Sequence, residues 1–129
     1  MAYEYYNPNP VGRNVGDCSV RAISKALGTD WETAYILIMI NGFSMGDVIS
    51  SDAVWGSVLR QNGFNRSVIP NSCPDCFTAE DFLEEHPEGT YVFAFGGHVA
   101  TGVDGVLYDA WDSSHEIPQF VWYKEKKGE

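Results

Sequence analysis

Basic side chains are scarce in this chain: 8 Lys and Arg stand against 18 Asp and Glu, for a formal net charge of −10. Such a surface repels a phosphate backbone, so nucleic acid is not expected as a partner, while a cationic protein is admitted. Long apolar runs are missing as well. The longest, Ala34 to Ile40, is far short of the ~20 residues that cross a bilayer, so no membrane association is expected. The opening Met1-Ala2-Tyr3-Glu4-Tyr5-Tyr6 has neither the basic start nor the apolar core of a secretory signal, which gives the expectation of a cytoplasmic protein. Cysteine is sparse and odd in number, three in all. That excludes a disulfide-stapled miniprotein, and in a reducing compartment all three are expected as thiols or thiolates. Repeats, linkers and low-complexity segments are absent. At 129 residues the chain reads as one domain, 1–129, able to bury roughly two thirds of its unfolded-chain surface.

Helices come first and strands later. Residues 1 to 16, rich in Asn, Pro, Gly and Tyr, predict an extended N-terminal arm without regular structure. A helix is expected from about Asp17 to Leu27, with Val20, Ile23 and Leu27 on one face and Gly28 as its stop. Thr29-Asp30-Trp31-Glu32 has the form of a capping box for a second helix that ends at Asn41-Gly42. A third is expected from Ser51 or Asp52 to Asn62, and a short fourth from Thr78 to before Pro87. The period then changes. Thr90 to Phe95, His98 to Val103, Val106 to Trp111 and Gln119 to Tyr123 read as strands, with Phe64 to Ile69 as an edge strand. N-terminal helices packed on a C-terminal antiparallel β-sheet make an α+β domain.

Cys18 sits where the Gly16-Asp17 loop hands over to the first helix. The macrodipole and the free N–H groups of a first turn stabilise a thiolate, so a cysteine there can titrate well below the ordinary thiol value. Eighty residues on, Gly96-Gly97-His98-Val99 places a histidine at the head of an apolar strand, with Asp109 and Asp112 following. Cys, His and Asp in that order supply a nucleophile, a base and an orienting acid. The two acids are separated by the hairpin. Asp104-Gly105 favours a two-residue primed turn. If Val103 faces Val106, then Asp109, Trp111 and Ser113 share the face of His98 while Asp112 points away. A bulged three-residue loop would put Asp112 on that face instead. Asp109 is therefore the first choice and Asp112 the reserve.

Gly16-Asp17-Cys18 opening a helix, Gly97-His98-Val99 on a strand and Tyr108-Asp109-Ala110-Trp111 on the next resemble the papain-like cysteine peptidase superfamily. The resemblance is to its short bacterial and phage members, including the peptidases that remove double-glycine leaders. It implies a papain-like fold in which Cys18 attacks, His98 acts as base and then acid, and Asp109 orients the imidazole. Asp109-Ala110-Trp111 is similar to the Asn-Ser-Trp of papain, whose tryptophan shields the histidine's hydrogen bond. Such enzymes usually carry a Gln about six residues before the cysteine to complete the oxyanion hole. Position 12 here is Gly12, and the nearest carboxamide, Asn14, is the oxyanion candidate.

Other chemistry-bearing residues have plainer readings. His86 before Pro87 reads as a cap or surface residue, and His115 in a polar loop has no obvious partner. Cys73-Pro74-Asp75-Cys76 lacks the second pair that a structural zinc site normally uses, so no metal is assigned and the pair reads as a tight turn; no cofactor is expected. The leading function is a cysteine hydrolase cleaving a peptide or other amide bond, with a peptide or protein as substrate. The alternatives are an inert papain-like binding protein, for example a phage protein binding a host protein or metabolite, and an acyl or glutamine transferase using the same triad.

Overall fold

The computed structural model describes residues 2–69 and 76–124. Its elements are β1 (Ala2–Tyr5), α1 (Cys18–Leu27), α2 (Trp31–Met45), α3 (Asp52–Gln61), β2 (Phe64–Val68), α4 (Ala79–Glu85), β3 (Thr90–Phe95), β4 (His98–Val103), β5 (Val106–Asp109) and β6 (Phe120–Lys124). The strands form one sheet in the order β1-β5-β4-β3-β6-β2. The fold is α+β, as the change of period implies. Among the described residues no helix is long and apolar enough to cross a membrane.

Two details of the expected architecture are corrected. The sheet is mixed, because β1 runs parallel to β5 with Tyr3 opposite Leu107 and Tyr5 opposite Asp109. The N-terminal arm therefore contains a strand. Its sequence signal is weak because the strand is four residues long and mostly exposed, held by β5's backbone rather than by an apolar face of its own. The helices also lie on both faces. Val20 and Ile23 of α1, Ala34 and Ile38 of α2, and Val54 and Leu59 of α3 pack with Val92, Val99 and Trp122. On the other face Phe82 and Leu83 of α4 pack with Phe93, Ala100, Leu107 and Val121. Alternating inward and outward residues of the central strands feed both cores.

Helix α1 ends at Gly28 in the left-handed conformation, as its sequence implies. The next helix departs at both ends. Ser24 and Thr29 exchange hydrogen bonds, the Ser24 hydroxyl donating to the Thr29 carbonyl at 2.6 Å, so Thr29 belongs to the end of α1. Asp30 is the cap of α2, its carboxylate accepting from the Thr33 N–H at 2.8 Å. Asn41-Gly42 does not end α2. Gly42 is a packing residue, where a Cβ would stand 2.9 Å from the Asp47 carbonyl oxygen, and the helix runs on to stop at Gly46.

The β4–β5 hairpin has the register of the two-residue turn. Val103 pairs with Val106 and Thr101 with Tyr108, and Asp104 and Gly105 have φ of 50° and 80°. Two consecutive positive φ values are those of a type I′ turn, whose twist matches the flanking strands. One buried hydrogen bond ties this hairpin to the helix that begins at Cys18: the Thr101 hydroxyl donates to the Ala22 carbonyl of α1 at 2.8 Å. Cys18 lies one turn before Ala22, and His98 three residues before Thr101.

Candidate active site

Asp109 organises the site. It is 1% exposed, and each carboxylate oxygen is engaged. Oδ2 accepts from His98 Nε2 at 2.6 Å and from the Ser113 hydroxyl at 2.6 Å; Oδ1 accepts from Arg21 Nη2 at 3.1 Å and from the Ala110 N–H at 2.7 Å. Its backbone carbonyl is held too, by the Tyr6 N–H and the Tyr3 hydroxyl. Burial pushes the Asp109 carboxyl up, but the hydrogen bonds from His98 and Ser113, the His98 charge and the Ala110 N–H outweigh it and hold the acid below its ordinary value.

An ionised Asp109 requires Nε2 of His98 to donate, which leaves Nδ1 for the second partner of the ring, the Cys18 thiol. Burial pushes His98 down, yet its hydrogen bonds to Asp109 and Cys18, and the charges of both, carry it up to about 9. For Cys18, burial pushes the thiol up. Hydrogen bonds with His98 and the Val99 backbone, and the charges of His98 and Arg21, bring it below its ordinary value. Opposite shifts in contacting groups favour a thiolate–imidazolium pair. The imidazole lies between two aromatic rings, Phe95 at 6.0 Å and Trp111 at 4.8 Å.

The start of α1 contributes in a second way. Asp17 occupies the cap position but makes no side-chain cap hydrogen bond, because its carboxylate accepts from Arg21 Nη1 and from Trp31 Nε1. First-turn N–H groups have no partner within a helix. At Cys18 they stand uncapped beside the sulfur, available to a developing oxyanion. Cys18 and His98 open onto a cleft of about 380 Å³ that Trp55, Gly97, Asp52 and Gln119 also line.

Cys18, His98 and Asp109 are thus brought together. Asp112 is exposed, its carboxylate accepting from the Ser114 N–H at 3.1 Å, and it does not reach His98. Asn14 is exposed and is not among the residues lining the cleft; the carboxamide there is Gln119. Gln119 was not legible as a site residue because its place is fixed by pairing of its N–H with the Ala94 carbonyl, a partner distant in the chain. Arg21 was also missed, although the Asp17-to-Arg21 spacing of four and a cation on an apolar helix face were available signals. His86 caps the end of α4, with Nδ1 at 2.9 Å from the Phe82 carbonyl oxygen. His115 does have a neighbour, Glu80, at 3.7 Å on the surface. Cys73, Pro74 and Asp75 lie outside the described residues, and with them most of the turn read at Cys73 to Cys76. Cys76 is disulfide-bonded, a correction to the expectation of three thiols. Among the described residues no group of three or more His, Cys, Asp or Glu side chains could hold a metal ion.

Compared with known proteins, the chain matches no family model, no curated protein and no solved structure.

Proposed function

We propose that this protein is a cysteine hydrolase of papain type that cleaves a peptide or other amide bond. One observation carries the reading: a single imidazole, hydrogen-bonded to a buried carboxylate, shares a cleft with a helix-terminal thiol whose acidity it raises. The order Cys18, His98, Asp109, the α+β architecture and Trp111 beside the imidazole favour a short papain-like fold.

The thiolate of Cys18 attacks the substrate carbonyl carbon, forming a C–S bond while the carbonyl π electrons move to oxygen. First-turn N–H groups of α1, with Gln119 as the side-chain donor from the cleft wall, stabilise that oxyanion. The His98 imidazolium gives its Nδ1 proton to the leaving nitrogen, the C–N bond breaks, and a thioester remains. Water then attacks the thioester as His98 takes its proton. Collapse releases the carboxylic acid and restores the thiolate–imidazolium pair. Asp109 keeps its negative charge throughout and fixes the tautomer.

The test is a digest of a mixed peptide library by the wild type and by Cys18→Ser, read by mass spectrometry. Cleavage by the wild type alone is expected. No cleavage, with Cys18 alkylating no faster than an ordinary thiol, would replace this reading with an inert binding protein. Products carrying an added amine in place of a new carboxylate would indicate a transferase.

A further inference from the structure

Helix α2 breaks the usual rule for a surface helix. Its inward residues Ala34, Ile38 and Gly42 are buried. Its outward stripe should be polar. Instead Ile36, Met39, Ile40 and Phe43 follow the i, i+3, i+4, i+7 spacing of a packing face and are 45% to 90% exposed, with Phe43 at the upper limit. Met45 and Val48 extend the patch. No charged residue lies between Glu32 and Asp47. A contiguous apolar surface of this kind marks an interaction site.

We propose that α2 is the interface of a homodimer, two copies packing antiparallel about a two-fold axis near Met39 and Ile40, with Phe43 of each copy against Ile36 of the other. Three observations select a second copy. An isologous contact needs a self-complementary face, and a four-residue apolar stripe centred between positions 39 and 40 meets its own reverse. At on the order of 150–200 Å² for each fully exposed large side chain, the six residues expose roughly 650 Å², so two faces close about 1,300 Å², within the span of stable specific interfaces. The chain carries a net charge of −10, and the charge-free stripe is where two such copies meet with least repulsion. A membrane surface fits less well, because interfacial helices carry Lys and Arg on their polar face and α2 has neither, with Asp30, Glu32 and Asp47 around its ends. A cationic partner would find no acid within the stripe.

The interface leaves the catalytic cleft open. None of the residues that line that cleft belongs to α2. The dimer and the Cys18 chemistry are therefore separable in experiment.

Sedimentation equilibrium of the full chain over a hundredfold concentration range tests the proposal. The expected result is a species of twice the 14.3 kDa chain mass. Phe43→Glu, and independently Ile40→Glu, should weaken association at least a hundredfold while leaving the circular dichroism spectrum and the rate of Cys18 alkylation unchanged. Val68→Glu, at an exposed position on the edge strand, should leave the dimer intact. A wild-type chain that stays monomeric throughout overturns the proposal, whether or not it co-sediments with neutral phosphatidylcholine vesicles. A dimer that both α2 variants leave intact overturns it equally, by placing the interface elsewhere.

Discussion

Arg21 and Asp109, 88 positions apart in sequence, share a 3.1 Å hydrogen bond on the oxygen of Asp109 that does not face His98. The same guanidinium holds Asp17 with its other arm. Arg21 is 6% exposed and Asp17 8%, so one buried cation spans two buried carboxylates, one next to Cys18 in sequence and one hydrogen-bonded to His98. The planar fork of arginine suits this, where a lysine could serve one acid at a time.

Removing that cation leaves buried Asp17 with the Trp31 N–H alone and takes from Asp109 the charge opposite His98. Arg21→Ala should cost about 3–5 kcal/mol in denaturant unfolding, the range for breaking a buried charge pair from one side. Arg21→Lys should recover part of it. In Arg21→Ala the acid limb of Cys18 alkylation should move to higher pH, because the Arg21 charge that helps to hold the thiol down is lost, and in Arg21→Lys, which keeps a cation, it should move less. A stability loss under about 1 kcal/mol in Arg21→Ala would mean that the network is solvated and carries little.

The two candidate acids are separated by substitution. Asp109→Asn keeps the volume and removes the charge that raises His98 toward about 9. The imidazolium should then lose its proton at lower pH, moving the alkaline limb of peptide hydrolysis down and slowing Cys18 alkylation near neutrality. Asp112→Asn should leave both unchanged, since its carboxylate only caps the local turn. The reverse pattern would show that the acid at position 109 does not support the base.

The thiol has its own pH signature. Iodoacetamide should label Cys18 at about pH 6.5, where a free thiol is some two units below its pKa and almost wholly protonated. His98→Ala removes the hydrogen bond and the charge that lower the thiol and leaves the burial that raises it. Its labelling at the same pH should fall at least tenfold, with the titration midpoint moved to higher pH. Unchanged labelling in His98→Ala would separate the histidine from the nucleophile.

A packing prediction concerns the contact between α3 and β6. A Cβ on Gly56 of α3 would stand 2.8 Å from the buried Trp122 ring. Alanine gains about 1 kcal/mol of helix propensity over glycine, but overpacking against a fixed ring costs about 1–3 kcal/mol. Gly56→Ala should therefore lower the melting temperature, and a rise would show that the ring has room to shift.

Local chemistry was legible in the sequence. The Gly28 stop, the Asp104-Gly105 turn and the short apolar runs depend on neighbouring residues, so they fixed α1, the β4–β5 register and the side of the strand shared by His98 and Asp109. Tertiary structure decided what depends on partners distant in the chain. Tyr3 and Tyr5 form a strand only because β5 offers them an edge, and Gly42 continues α2 because Asp47 packs against it. Gln119 replaces Asn14 at the cleft because β3 fixes its backbone. Arg21 joins Asp17 to Asp109 because the Thr101–Ala22 hydrogen bond sets α1 against β4. Hydrophobic period and turn residues specify elements and their faces, whereas a buried charge network exists only once three separate segments have excluded water together.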